Sequence, residues 1–113
     1  MSTEIACTEK DQQNMKYIQD TLYVINGKWR ILIMVSLVNG NTRYRDIARS
    51  IPKITFRMLS KELREMELNK LVTRTADELS PMQVEYALTD YCKTLWPILS
   101  EMIKWAKHHR TVI

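Results

Sequence analysis

Apolar residues recur along this chain in five helical stretches and two alternating ones. Met15, Ile18, Leu22 and Ile25 are spaced for one face of a first amphipathic helix. Gly27 interrupts the pattern, and Lys28 to Val38 is apolar on most sides up to the stop at Asn39-Gly40, which predicts a helix covered on most of its surface. After a short extended stretch at Asn41-Thr42-Arg43, the residues Tyr44, Ile47, Ala48 and Ile51 mark a third, short helix. Pro52 closes it, because proline disfavours the helical conformation in the residue before it. Thr55 is placed to cap a fourth helix whose Leu59, Leu63 and Met66 turn inward. Leu71 to Thr75 and Val84 to Leu88 alternate as two strands broken at Asp77-Glu78-Leu79-Ser80-Pro81, the signature of a hairpin. Thr89 then starts a long helix with Leu95, Ile98, Leu99, Met102, Trp105 and Ala106 on one stripe and a kink expected at Pro97.

These elements predict an α+β fold, mainly α, of winged helix-turn-helix type: two short helices joined by a tight turn, a strand pair and a final helix. In such a unit the second helix enters the major groove of DNA and the hairpin reaches the backbone or the minor groove. At 113 residues the chain is expected to form a single domain. Residues 1–10 read as a flexible arm, 44–66 as the helix-turn-helix, 71–88 as the wing and 89–110 as a C-terminal dimerisation helix.

Charge sharpens this reading. Between Asn41 and Arg74 stand nine Lys and Arg against four Asp and Glu, a net +5, while the whole chain is only +4. The positive charge is therefore placed, and a polyanion is the partner that such a patch attracts. On the fourth helix the outward set is Phe56, Arg57, Ser60, Lys61 and Arg64. Arg57 and Lys61 can donate to guanine or to phosphate, Ser60 to either, and Phe56 can meet a thymine methyl. Thr55 and the helix N-terminus offer donors to a phosphate. The plainer reading is that these charges only solvate an amphipathic helix, aided by contacts such as Arg57-Lys61-Glu65.

Other chemistry is thin. No Cys/His or Ser/His set, ligand cluster or phosphate-cradling glycine loop is present, so no enzyme, cofactor or metal site is expected. His108 and His109 read as solvated tail residues. Met15, Met34, Met66 and Met102 read as core packing, and Trp29 and Trp105 as core or dimer-seam residues. The apolar run from Ile31 to Val38 is far short of a membrane span, residues 1–10 hold no secretory signal, and two cysteines suit a reducing cytoplasm. Cys92 is expected in the core. Cys7 has only Lys10 nearby as a base, with Glu4 and Glu9 opposing the thiolate. Tyr86 is expected inward and Glu85 outward, paired with a base of the first wing strand, and Asp46 is expected to orient Arg43 or Arg49.

Gly27-Lys28-Trp29, Arg43-Tyr44-x-Asp46-Ile47, Ile51-Pro52-x-Ile54-Thr55 and Pro81-x-x-Val84-Glu85-Tyr86-x-Leu88-Thr89 together resemble the HxlR-type winged-helix regulators of bacteria, over about Cys7 to Trp105. The resemblance implies a homodimeric regulator of transcription binding double-stranded DNA at dyad-symmetric sites, with no membrane association and an effector left unspecified. It implies a recognition helix from Thr55 to Met66, a wing from Arg74 to Val84, dimerisation through the terminal helices, and a candidate redox sensor at Cys7. On this basis Lys53, Thr55, Phe56, Arg57, Ser60, Lys61, Arg64 and Arg74 are the expected DNA contacts. Lys53 and Lys70 stand where the family commonly has glycine, so Asn69-Lys70 must turn without one. The alternative is a winged-helix module that uses the same basic helix, with Phe56 exposed, to dock an acidic protein.

Overall fold

The computed structural model describes residues 9–76 and 83–113. Cys7 and the Asp77–Pro81 break lie outside the described residues. Among these residues six helices and one hairpin follow in the order α1 (Glu9–Ile25), α2 (Arg30–Val38), α3 (Tyr44–Ser50), α4 (Phe56–Leu68), β1 (Val72–Ala76), β2 (Val84–Leu88), α5 (Asp90–Lys93) and α6 (Trp96–Val112). The expected arm therefore ends sooner, since Glu9 and Lys10 are already helical.

The core is built by the residues that the helical spacing singled out. Ile47 from α3, Leu59, Leu63 and Met66 from α4, Ile33, Met34 and Leu37 from α2, and Leu71 and Val72 at the start of the hairpin form one buried cluster, joined by Cys92 and Leu99. Burial of this apolar surface is the main force holding α2, α3 and α4 together. Ser36 is buried among them without penalty, because its hydroxyl donates to Ser50 Oγ (2.6 Å), which in turn donates to the Ile47 carbonyl (2.7 Å).

Both turns flanking α4 use a lysine in the left-handed region. Between α3 and α4, Ile54 N donates to Ile51 O (3.4 Å) across Pro52 and Lys53, with Lys53 at φ +68°. Proline followed by a positive-φ residue matches a type II turn, whose third residue is ordinarily glycine. After α4, Leu71 N donates to Met66 O (2.8 Å) and Lys70 N to Glu67 O (3.0 Å), with Lys70 at φ +63°. That is the Schellman pair of bonds. The same pair ends α2, Asn41 N to Ser36 O and Gly40 N to Leu37 O, there with glycine at the left-handed position.

The hairpin is antiparallel, with Val72 opposite Leu88, Arg74 opposite Tyr86 and Ala76 opposite Val84. Its second strand has a further neighbour: Tyr86 N donates to Thr42 O (2.8 Å), and Arg43 bridges Glu85. The wing is thereby stitched to the segment that enters α3.

The C-terminal region departs from the single kinked helix expected from the sequence. Thr89 does cap a helix, its Oγ1 accepting from Cys92 N (2.9 Å), but that helix is the four-residue α5. Pro97, near the start of α6, lacks the N–H that would continue the ladder, and the chain passes through shorter-range bonds, Thr94 N to Tyr91 O and Leu95 N to Cys92 O. A second departure concerns the terminal stripes. Among the described side chains of α1 only Ile25 is buried, while Met15, Ile18 and Leu22 are exposed; in α6 only Leu99 is buried, and every residue from Glu101 onward is exposed. Met34 and Met66 pack in the core as expected, whereas Met15 and Met102 do not. Trp29 lies half-buried against the core, and Trp105 is exposed and stacked on His109 at 4.8 Å.

Candidate nucleic-acid interface

Helix α4 carries the outward set. Its inner ridge, Leu59, Leu63 and Met66, is essentially inaccessible, which forces Phe56, Arg57, Ser60, Lys61 and Arg64 to solvent. Thr55 is the N-cap, and its Oγ1 accepts from Met58 N at 3.1 Å. Capping engages one first-turn amide and leaves the adjoining N-terminal donors turned outward with the positive end of the helix dipole. Lys53, one turn upstream, is also exposed.

Tyr44 locks this helix to α3. Its hydroxyl donates to the Phe56 carbonyl (2.6 Å), so at its contact with Ser60 Oγ (2.7 Å) the serine is the donor. The hydrogen of Ser60 is thus committed within the protein, and its oxygen is left to accept. The Tyr44 and Phe56 rings lie 5.7 Å apart, so one face of Phe56 is supported although the side chain is 63% exposed.

Arg74 projects from β1 opposite Tyr86 and lines two adjoining clefts. The first, about 380 Å³, lies between α4 and the wing and is lined by Ser60, Arg64, Arg74 and Tyr86 among others. The second, about 550 Å³, lies between α3 and the wing and gathers Arg43, Arg45, Arg49 and Arg74 around Tyr44 and Tyr86. Of these four, only Arg74 is among the DNA contacts expected from the sequence; Arg43, Arg45 and Arg49 enter there through the charge excess and, for Arg43 and Arg49, as expected partners of Asp46. Periodicity does show Arg45 and Arg49 opposite the buried Ile47, but only the tertiary packing brings them beside Arg74.

Acidic residues in this region take other roles than expected. Glu85 faces outward, but its partner is Arg43 at the entry to α3 (3.7 Å), not a base of β1. Both groups are half-exposed, so the contact contributes little energy. Asp46 forms no ion pair with Arg43 or Arg49. Glu62 and Glu65 are turned away from the basic face: both bond the buried Arg30, so Glu65 does not serve the Arg57-Lys61 side of the helix. Burial opposes the charge of Arg30, yet its bonds to Glu62 and Glu65 more than offset this and hold the guanidinium above its ordinary range. Tyr86 is half-buried rather than fully inside. Cys92 is buried as expected, and burial pushes its thiol pKa up.

A helix-turn-helix with a basic second helix, followed by an antiparallel wing that shares an arginine cleft with it, defines a winged helix-turn-helix DNA-binding protein of the MarR-like kind. The chain belongs to the HxlR-like helix-turn-helix family, whose model matches residues 24–112. It is 38% identical over 96 residues to YybR, an uncharacterized HTH-type transcriptional regulator of Bacillus subtilis (strain 168), covering 85% of this chain and 77% of that protein. Among solved structures it is similar to the reduced form of the redox regulator HypR (TM-score 0.74, 40% identity, 84% of this chain and 94% of that one). It is also similar to the reduced form of the transcriptional regulator YodB from B. subtilis (TM-score 0.72, 31% identity, 80% and 88%). The protein is a transcriptional regulator of the HxlR and MarR-like winged-helix type. Its relatives have a non-enzymatic role, and no single helix among the described residues is long and apolar enough to cross a membrane.

Proposed function

We propose that the protein binds a pseudo-palindromic promoter site as a homodimer in the cytoplasm, with two α4 helices entering the major groove about one DNA turn apart. The observation that carries this reading is the outward face of α4: five polar or aromatic side chains presented over a fully buried apolar ridge. Arg57 and Lys61 make base or phosphate contacts, with Lys53, Phe56, Ser60 and Arg64 supporting them. Thr55 and the first turn of α4 hold one phosphate, and Arg74 holds another from the base of the wing, joined by Arg43, Arg45 and Arg49.

The apolar stripes of α1 and α6 are the dimer seam. Ile18, Leu22, Met102 and Trp105 are large and exposed within one chain, and pairing with a second copy removes them from water. Redox response is part of the proposal because two of the structural neighbours are regulators captured in defined redox states, HypR and YodB. Cys7 is the thiol assigned to it.

Selection of bound duplexes from a random DNA pool, repeated after oxidation and re-reduction, tests the reading. Enrichment of an inverted repeat is expected, with loss on oxidation that Cys7→Ser abolishes. Absence of enrichment at low salt would transfer α4 to the alternative role of docking an acidic protein. Retained binding after oxidation would remove Cys7 from the mechanism.

A further inference from the structure

Arg30 is the most buried charged side chain of the described residues, and DNA contact does not explain it. Its Nε donates to Glu62 Oε2 (3.0 Å) and its Nη2 to Glu65 Oε2 (2.5 Å), both on α4. Its Nη1 donates to the carbonyls of Tyr23 (3.0 Å) and Val24 (3.1 Å), in the last turn of α1. Carbonyls at the end of a helix have no acceptor role within it, and the negative end of the helix dipole favours a cation there. One planar guanidinium therefore grips the exposed-stripe helix with one edge and the DNA-facing helix with the other.

We propose that Arg30 is a positioning residue that couples the placement of α1 to the rotational setting of α4. Glu62 and Glu65 lie one turn apart on the same side of α4, and their chain neighbours Lys61 and Arg64 belong to the outward basic set. A clamp on that pair sets where the set points. With side chains reaching about 5–6 Å from the helix axis, a rotation of roughly 20° moves their tips by about 2 Å, enough to break a hydrogen bond to a base or phosphate. A cation that only neutralised the carboxylates would not need the fork. Lysine carries the charge but cannot hold four acceptors in one plane.

The inference rests on the reading of α4 as the DNA-contacting helix, and hydrogen exchange of the full chain separates the two. The probe is the duplex recovered from the pool selection. In the parent protein it is expected to slow amide exchange both in α4 and in the last turn of α1, Tyr23 to Ile25. In Arg30→Lys, α4 remains protected by the duplex, the response at Tyr23 to Ile25 disappears, and duplex affinity falls about tenfold, within the usual range of coupling between sites. Since a lone change at a buried ion pair can unfold a domain, the triple variant Arg30→Met, Glu62→Leu, Glu65→Met provides a second route: it replaces the cluster by apolar groups, which buried ion clusters often tolerate. It is expected to fold and to lose the α1 response as Arg30→Lys does. Protection of α4 without any response in the parent's α1, or an unchanged response in either variant, overturns the coupling. No protection of α4 in the parent overturns the DNA-contact reading, and this inference with it.

Discussion

The hydroxyls of Tyr44 and Ser60 lie 2.7 Å apart and join α3 to the outward face of α4. Because Tyr44 also donates to the Phe56 carbonyl, Tyr44→Phe removes two bonds while leaving the ring that packs on Phe56. The site is partly wet, so a loss of about 1 kcal/mol is expected in a urea titration. The freed Ser60 hydroxyl loses its fixed direction, and operator affinity should fall further than stability alone accounts for. An unchanged dissociation constant would show that the linkage only supports the fold.

Arg57 and Lys61 are expected to differ in kind. Lys61→Ala should weaken all duplexes alike and lower the slope of log affinity against log salt by about one. Arg57→Ala should relax preference at one base position, at a cost of about 1–3 kcal/mol for the preferred sequence. Binding to a panel of singly substituted operators over a salt series reads both effects, and parallel losses from the two variants would place both residues on phosphate.

Apolar stripes on α1 and α6 predict concentration-dependent behaviour. Leu22→Glu or Trp105→Glu should shift sedimentation from dimer to monomer at micromolar concentration, without unfolding the core formed by α2, α3 and α4. A parent protein that already sediments as a monomer would exclude the seam.

Burial raises the pKa of the Cys92 thiol, so the folded chain favours its neutral form more than the unfolded chain does. The stability this gives is fully present below the ordinary thiol range, about pH 8.5, and is lost as pH rises through the higher folded value. Denaturation midpoints should therefore decline between pH 8 and 10 less steeply in Cys92→Ala than in the parent. In a Cys7→Ser background, Cys92 should resist disulfide reagents at neutral pH until denaturant is added, whereas prompt labelling would mean that the packing around Cys92 opens readily.

Short-range chemistry made much of this legible in the sequence. Ile47, Leu59, Leu63 and Met66 could be placed in the core from spacing, Thr55 as a cap from its position before α4, and the two strands from alternation, because each depends on neighbours within a few residues. Arg30 could not be placed, since its partners Glu62 and Glu65 stand more than thirty positions away and nothing local marks a buried cation. The same limit explains Arg43, which pairs with Glu85 across the fold rather than with Asp46 beside it. The stripe in α6 marks an apolar face of which Leu99 alone is buried within the chain, and periodicity does not say what covers the rest. Pro97 predicts a kink inside one helix, but its missing donor falls where α5 gives way to α6.

Lys53 and Lys70 bracket α4 in a backbone conformation that glycine adopts freely and other residues occupy at a cost of about 1–2 kcal/mol. Lys70→Gly should therefore raise stability by about 1 kcal/mol, read as a higher urea midpoint with an unchanged slope. The equivalent bond pair after α2 already has Gly40. In the proposed complex, relaxing either turn around α4 also removes a positive charge from an end of the DNA-facing helix. Thermal robustness and electrostatic hold on DNA are thus set against each other at two positions of the backbone. Variants selected only for heat resistance would be expected to drift towards glycine there and to become weaker, less salt-sensitive binders.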